Sequence, residues 1–158
     1  MLFRSFVNFT EYLCGVSLYR DEAIVLRTQK LGEADRIITL LTRENGRVRG
    51  IAKGVRRTKS KFGARLEPGS HIDIQLYTGR TFDTVTQVES IFNYGESLTD
   101  DYSRWTIAGA ILEAAERFTS HEHEPALQEF KLATGAMKAL AENKYEPSMI
   151  LDAYLLRS

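Results

Sequence analysis

The stretch "RVRGIAKGVRRTKSKFGARL", residues 47–66, carries Arg47, Arg49, Lys53, Arg56, Arg57, Lys59, Lys61 and Arg65, and no acid. Side chains of one sign at this density neutralise polyanions, and each phosphate they cover releases condensed counterions. Phe62 lies inside the same stretch. It either anchors the segment to a core or offers a face on which a base stacks. A second candidate is "HEHE", with His121 and His123 beside Glu122 and Glu124. Two histidines at i and i+2 can share a metal on a strand, but here they fall in an inter-helix loop without a third ligand, so a solvated loop is expected. A third is the carboxylate pair Asp100 and Asp101, which helix capping explains better than acid–base chemistry. Cys14 is the single cysteine, which leaves no internal disulfide and no thiolate cluster for zinc. No GxxxxGK[ST], GxGxxG or HExxH pattern is present.

The chain is formally neutral, yet its charge is polarised. Residues 1–42 hold five basic and five acidic groups; residues 43–65 hold nine basic groups against Glu44; residues 67–158 hold seven basic and fifteen acidic groups. The middle segment is thus +8 and the last −8. A patch of that size attracts polyanions, and the acidic half repels them and invites a protein partner. A nuclear address explains "RRTKSK" but not Arg47 and Arg49 before it.

These side chains need elements to hold them. "AIVLRT" (23–28) is an apolar, strand-like run. "RIITLLTRENGRVRGIAKG" (36–54) reads as two strands joined at Glu44-Asn45-Gly46, a hairpin signal because Asn and Gly both accept positive φ. "HIDIQLYT" (71–78) alternates, and "TFDTVTQVESI" (81–91) follows it across Thr78-Gly79-Arg80. Five short strands predict a small barrel or sandwich. By the period of two, Arg47, Arg49 and Lys53 share a face that Ile51 interrupts. Arg27, Lys30 and Arg36 extend the basic surface if their strands lie beside it. Tyr77 points outward, either half-buried or free to stack.

The period then changes. Trp105, Ala108, Leu112, Ala115 and Phe118 predict a helix over 102–118, N-capped by Asp100 or Asp101. Leu127, Phe130, Thr134, Met137 and Ala141 predict a second over 125–142, with Pro125 in its first turn. A third begins near Pro147, and "MILDAYLL" (149–156) is apolar on nearly every side, as in helices buried all round. The helical part therefore reads as incomplete. The expected organisation is a leader over 1–16, a barrel over 17–95 and a truncated helical domain over 96–158. The leader, "MLFRSFVNFTEYLCGV", lacks a long apolar stretch, and "EYLCGV" is a poor cleavage site, so no secretory signal is expected. No apolar run approaches the ~20 residues that span a bilayer, and cytoplasmic residence is the default.

The segment "YRDEAIVLRTQKLGEADRIITLLTRENGRVRGIAKGVRRTKSKFGARLEP" resembles the amino-terminal part of the bacterial RecO family of DNA repair proteins. The most specific motif is "GRVRGIAKGVRR" followed by "LEP", of actinobacterial flavour. The likeness continues through "TQVESI" and "EPALQEFKLATGAMKALAENKYEPSMILDAYLLR", covering residues 18–157. It implies an α+β chain by segregation, an OB-fold barrel followed by a helical domain. It implies a non-enzymatic mediator in the nucleoid that needs no cofactor. Such a protein binds single- and double-stranded DNA and anneals complementary strands. With RecR it loads RecA onto strands covered by single-strand-binding protein, whose tail it also contacts. Arg47, Arg49, Lys53, Arg56, Arg57, Lys59, Lys61, Phe62 and Arg65 would then be the DNA-binding residues.

Departures accompany the resemblance. The family runs on for roughly a hundred residues more, by typical two-domain lengths, and many members carry a four-cysteine zinc site there. This chain has no such cysteines, so no zinc is expected. Gly69 stands where the family usually has an aromatic, and residues 1–16 have no counterpart; Val16 fits a misread start codon. Two other functions are compatible with some of the residues. An RNA-binding OB module in translation or RNA processing shares the same stacking and charge physics. A hydrolase would rest on Asp100, Asp101 and the "HEHE" loop alone.

Overall fold

The structure, a computed structural model, describes residues 17–54 and 62–158. The leader with Cys14, and Arg56, Arg57, Lys59 and Lys61 of the basic stretch, lie outside the described residues. Five strands, β1 (Leu18–Leu31), β2 (Asp35–Thr42), β3 (Gly46–Ala52), β4 (Ser70–Tyr77) and β5 (Asp83–Asn93), close a barrel in the order β1-β2-β3-β5-β4. Neighbours are antiparallel except β3 and β5, which meet in parallel over Gly50–Asp83 and Ile51–Thr84 alone. This is the five-stranded OB arrangement implied by the resemblance. A 3₁₀ turn (Gly63–Leu66) precedes β4.

β1 is longer than the run 23–28 because its two halves do different work. Its first half pairs with β4 and its second with β2, and a register shift between Val25 and Arg27 bends it from one to the other. Ala23 and Val25 enter the barrel core, while Ile24 and Leu26 point out of it. Burial on both faces is why the sequence shows a continuous apolar run there and not an alternation. In β2, Ile38 and Leu40 likewise face in, and Leu41 faces out.

The β2–β3 hairpin differs from the tight Asn-Gly turn. Thr42 pairs with Gly46 across the three-residue loop 43–45, and it is Gly46, at the start of β3, that is left-handed, at φ +67°. The reason is Asp21. Its buried carboxylate accepts the backbone N–H groups of Glu44 (3.0 Å) and Asn45 (3.2 Å) and the Asn45 side-chain amide (2.8 Å), which holds the longer loop.

Four helices follow: α1 (Tyr94–Ser97), α2 (Tyr102–Phe118), α3 (Leu127–Glu142) and α4 (Pro147–Arg157). Asp101 caps α2 through the Arg104 amide (3.2 Å), and Pro147 opens α4. α3 starts two residues later than expected, so Pro125 sits in the loop before it. The predicted positions Ala108, Leu112, Ala115, Phe130 and Met137 are buried, but the flanking ones differ. Arg104, Ala108, Ile111, Leu112 and Ala115 are buried on α2, and Phe130, Ala133, Met137 and Leu140 on α3; Trp105, Phe118 and Leu127 are exposed. Arg104 lies inside because its Nη1 donates to the Leu140 carbonyl (2.6 Å) and its Nε pairs with Asp101 (3.0 Å). α4 is not buried all round: Ile150 and Tyr154 pack inward, while Leu156 is 88% exposed.

The helices share one core with the outer face of β1 and β2. Ile24, Leu26 and Leu41 pack with Tyr94, Ile111, Phe130 and Met137 in a single cluster. Gly69 lets the layers approach. It adopts φ +86°, and a Cβ there would stand 3.0 Å from the Gly95 nitrogen, so no aromatic fits at this position. Met137, at 0% exposure, lies in that shared cluster. Met137→Ala should cost about 2–5 kcal/mol through lost transfer and a residual cavity. Urea unfolding should show the midpoint falling for strand and helix signals together.

Candidate nucleic-acid interface

β3 sets the site. Its inward residues Val48 and Ala52 fix the register, so Arg47, Arg49 and Ile51 stand on the outer face. The strand ends at Ala52, which places Lys53 in the following turn, exposed. That turn is tied down by the Gly54 amide donating to Asp35 (2.7 Å). At the other side of the undescribed segment, Phe62 is 2% exposed and packs in the barrel core. The anchoring alternative therefore holds for Phe62, and its ring presents no free face to a base. Arg65 is exposed, with Nη1 on the Val88 carbonyl (3.1 Å). The described residues on either side of the undescribed segment, Gly54 and Phe62, are thus both held to the barrel.

Arg47 and Arg49 share the face that the strand period gives, but both meet the helical layer. Arg47 donates from Nη1 to the Glu116 carbonyl (3.0 Å) and from Nη2 to the Ser120 carbonyl (3.0 Å). Glu116 belongs to the last turn of α2, whose free carbonyls carry the negative end of the helix dipole. Arg47 is thus a helix-capping cation supplied by the barrel. Arg49 pairs with Glu122 and lies over the Phe82 ring, 4.8 Å from its centroid. Neither contact was legible in the local sequence, because each joins residues far apart along the chain. Arg27 and Arg36 are also paired, with Glu116 (2.8 Å) and Glu67 (3.0 Å). Lys30 and Lys53 are exposed with no ion pair among the described residues.

The β4–β5 loop adds two residues the sequence reading passed over. Arg80 is exposed at its tip, and Phe82 carries Arg49. The available signal was Thr78-Gly79-Arg80 itself, since in OB barrels this loop borders the binding face. Its shape is held by Asp83, which is 1% exposed and accepts the Gly79 amide (2.9 Å) and the Tyr19 hydroxyl. Burial and then the Asp83 carboxylate push the Tyr19 phenol above its ordinary range, so it remains a donor. Tyr77 is 42% exposed beside this loop.

Two acids of the other candidates have structural partners. Asp101 caps α2, and Glu122 holds Arg49. His123 Nε2 lies 3.8 Å from Asp83. Among the described residues, no three His, Cys, Asp or Glu side chains come together as a metal site. No helix among them is long and apolar enough to cross a membrane.

A closed barrel of this strand order, with cations on and beyond β3, is an oligonucleotide-binding type of barrel. Residues 16–94 match the family model described as recombination protein O, N terminal, and the chain belongs to that family. It is 58% identical over 149 residues to the DNA repair protein RecO of Streptomyces avermitilis, covering 90% of this chain and 60% of that protein. It is 59% identical over 143 residues to the RecO of Thermobifida fusca, covering 90% and 59%. For that of Nocardioides the identity is 55% over 141 residues, covering 89% and 58%. The chain thus spans about 60% of the length of the curated relatives it matches.

The geometry separates structural from free cations. Arg47→Ala should lower stability by ~1–3 kcal/mol, because charge-assisted bonds to two carbonyls are lost. Lys53→Ala, an exposed turn change, should stay within about 0.5 kcal/mol of the parent. Thermal unfolding of the two variants checks the distinction.

Proposed function

We propose that this chain binds single- and double-stranded DNA through phosphate contacts without sequence preference. It thereby brings complementary strands together as part of a DNA repair mediator. The observation that carries the reading is the +8 segment over residues 43–65 mounted on β3 of an OB barrel, in a chain of the recombination protein O family. Annealing requires that two like-charged strands approach, and a dense cationic surface lowers that repulsion. It needs no catalytic residue. Lys53, Arg56, Arg57, Lys59, Lys61 and Arg65 supply the charge in this reading; Arg80 and Tyr77 border it. Arg47 serves mainly to hold the helices in place. Within the complete protein the same surface acts with RecR and single-strand-binding protein to pass strands to RecA. Family membership supports that step, and the acidic helical half is the surface available to a protein partner.

The test is annealing of two labelled complementary oligonucleotides at ~50 and ~200 mM salt, a range over which phosphate contacts weaken steeply. Arg56→Ala/Arg57→Ala/Lys59→Ala should anneal far more slowly than the parent. Its salt slope for single strands should be shallower by about 2, at ~0.7 per lost phosphate contact. A folded parent that neither binds nor anneals DNA contradicts the reading. Clear preference for matched RNA over DNA would move the function to the RNA-binding alternative.

A further inference from the structure

The loop between α2 and α3 lies along the edge of β3 as a short strap. The His123 amide donates to the Arg47 carbonyl (2.9 Å), and Glu122 bridges to Arg47 in parallel register. The fit is backbone on backbone: a Cβ built on Gly46 would stand 1.8 Å from the Glu124 carbonyl oxygen. His123 takes a left-handed φ of +60° to make the turn. The strap fills a gap in the barrel, because β5 reaches β3 only at Gly50 and Ile51. The remaining edge of β3 would otherwise present unpaired backbone groups.

One strap side chain does more than fill the edge. Glu122 places its carboxylate on Arg49. The Arg49 guanidinium lies over Phe82, and the side chain as a whole is 39% exposed although the Nε that meets Glu122 is buried. A guanidinium receives a carboxylate and a phosphate in the same way. We propose that Glu122 is an affinity-setting residue: its carboxylate occupies the Arg49 guanidinium and competes with nucleic-acid phosphate for it. The inference rests on the DNA-binding reading above. The strap backbone stays docked through Arg47, and only the Glu122 side chain yields. Half-exposed ion pairs are weak enough for such an exchange. Arg49 then adds one phosphate contact to those of the loop when Glu122 is displaced.

The experiment measures anisotropy of a labelled oligothymidine with the full chain between ~50 and ~200 mM salt. Glu122→Gln should bind about two- to fivefold tighter, the span of a partly exposed ion pair. Its salt slope should steepen by ~0.7, one extra phosphate on a single strand. Asp152→Asn removes the same charge from exposed α4, which packs on α2 and α3, and should leave the slope unchanged. Glu122→Asp keeps the carboxylate and should keep the parent slope. Glu122→Gln/Arg49→Ala should return to the parent slope. A parent slope in Glu122→Gln, or a gain that survives removal of Arg49, overturns the competition while DNA binding stands. Loss of binding in the parent and every variant overturns the DNA-binding reading itself.

Discussion

The outer face of β1 and β2 is apolar, and a barrel of this size cannot cover that face with its own strands. Ile24, Leu26 and Leu41 point away from the barrel axis and must be removed from water by something else. α2 and α3 do this with Ile111, Leu112, Phe130 and Met137. The rest of the arrangement depends on that burial. It fixes the end of α2 against β3, where Arg47 meets its last carbonyls, and it sets down the following loop along the β3 edge. Lys53 and Arg65 take no part in that burial and are exposed. The two parts of the chain share one hydrophobic cluster and do not behave as beads on a string.

Cations among the described residues fall into two groups by what they contact. Arg47 and Arg104 each send guanidinium nitrogens to carbonyl oxygens near a helix C-terminus, where a cation offsets the dipole and satisfies groups the helix leaves unbonded. Arg27 and Arg36 sit in ion pairs. Lys30, Lys53 and Arg80 are exposed without a carboxylate partner among the described residues. Basic residues of the first kind hold the scaffold, and those of the second remain available to an external anion. Arg49 stands between the two groups, paired but half-exposed.

Much of the fold was legible because local patterns carry it. Alternation in β4, the Gly-marked turns and Asp101 before α2 all gave elements where the structure has them. The closed strand order came from the family resemblance, since no local pattern encodes the parallel β3–β5 contact. Helix faces were misjudged where tertiary partners decide burial. Trp105 falls on the apolar period of α2 yet is exposed, whereas Arg104 is inside because two acceptors await it. The site was legible as a charge run and not as geometry. The sequence shows Arg47 and Arg49 as two more cations, and only the fold brings Glu116, Ser120 and Glu122 to them. The same holds for Phe62, whose burial depends on the barrel interior beside it.

If nucleic acid lies along the acid-free stretch that follows β3, the lysines of that stretch are shielded in the complex. Lysine footprinting on the bound complex addresses it most directly, comparing acetylation of each lysine with and without a saturating single-stranded oligonucleotide at low salt. Loss of reactivity is expected at Lys53, Lys59 and Lys61, and no change at Lys131, Lys138 and Lys144 on and beyond α3. Protection confined to the helical lysines, with the three on the basic stretch as reactive as before, would contradict it.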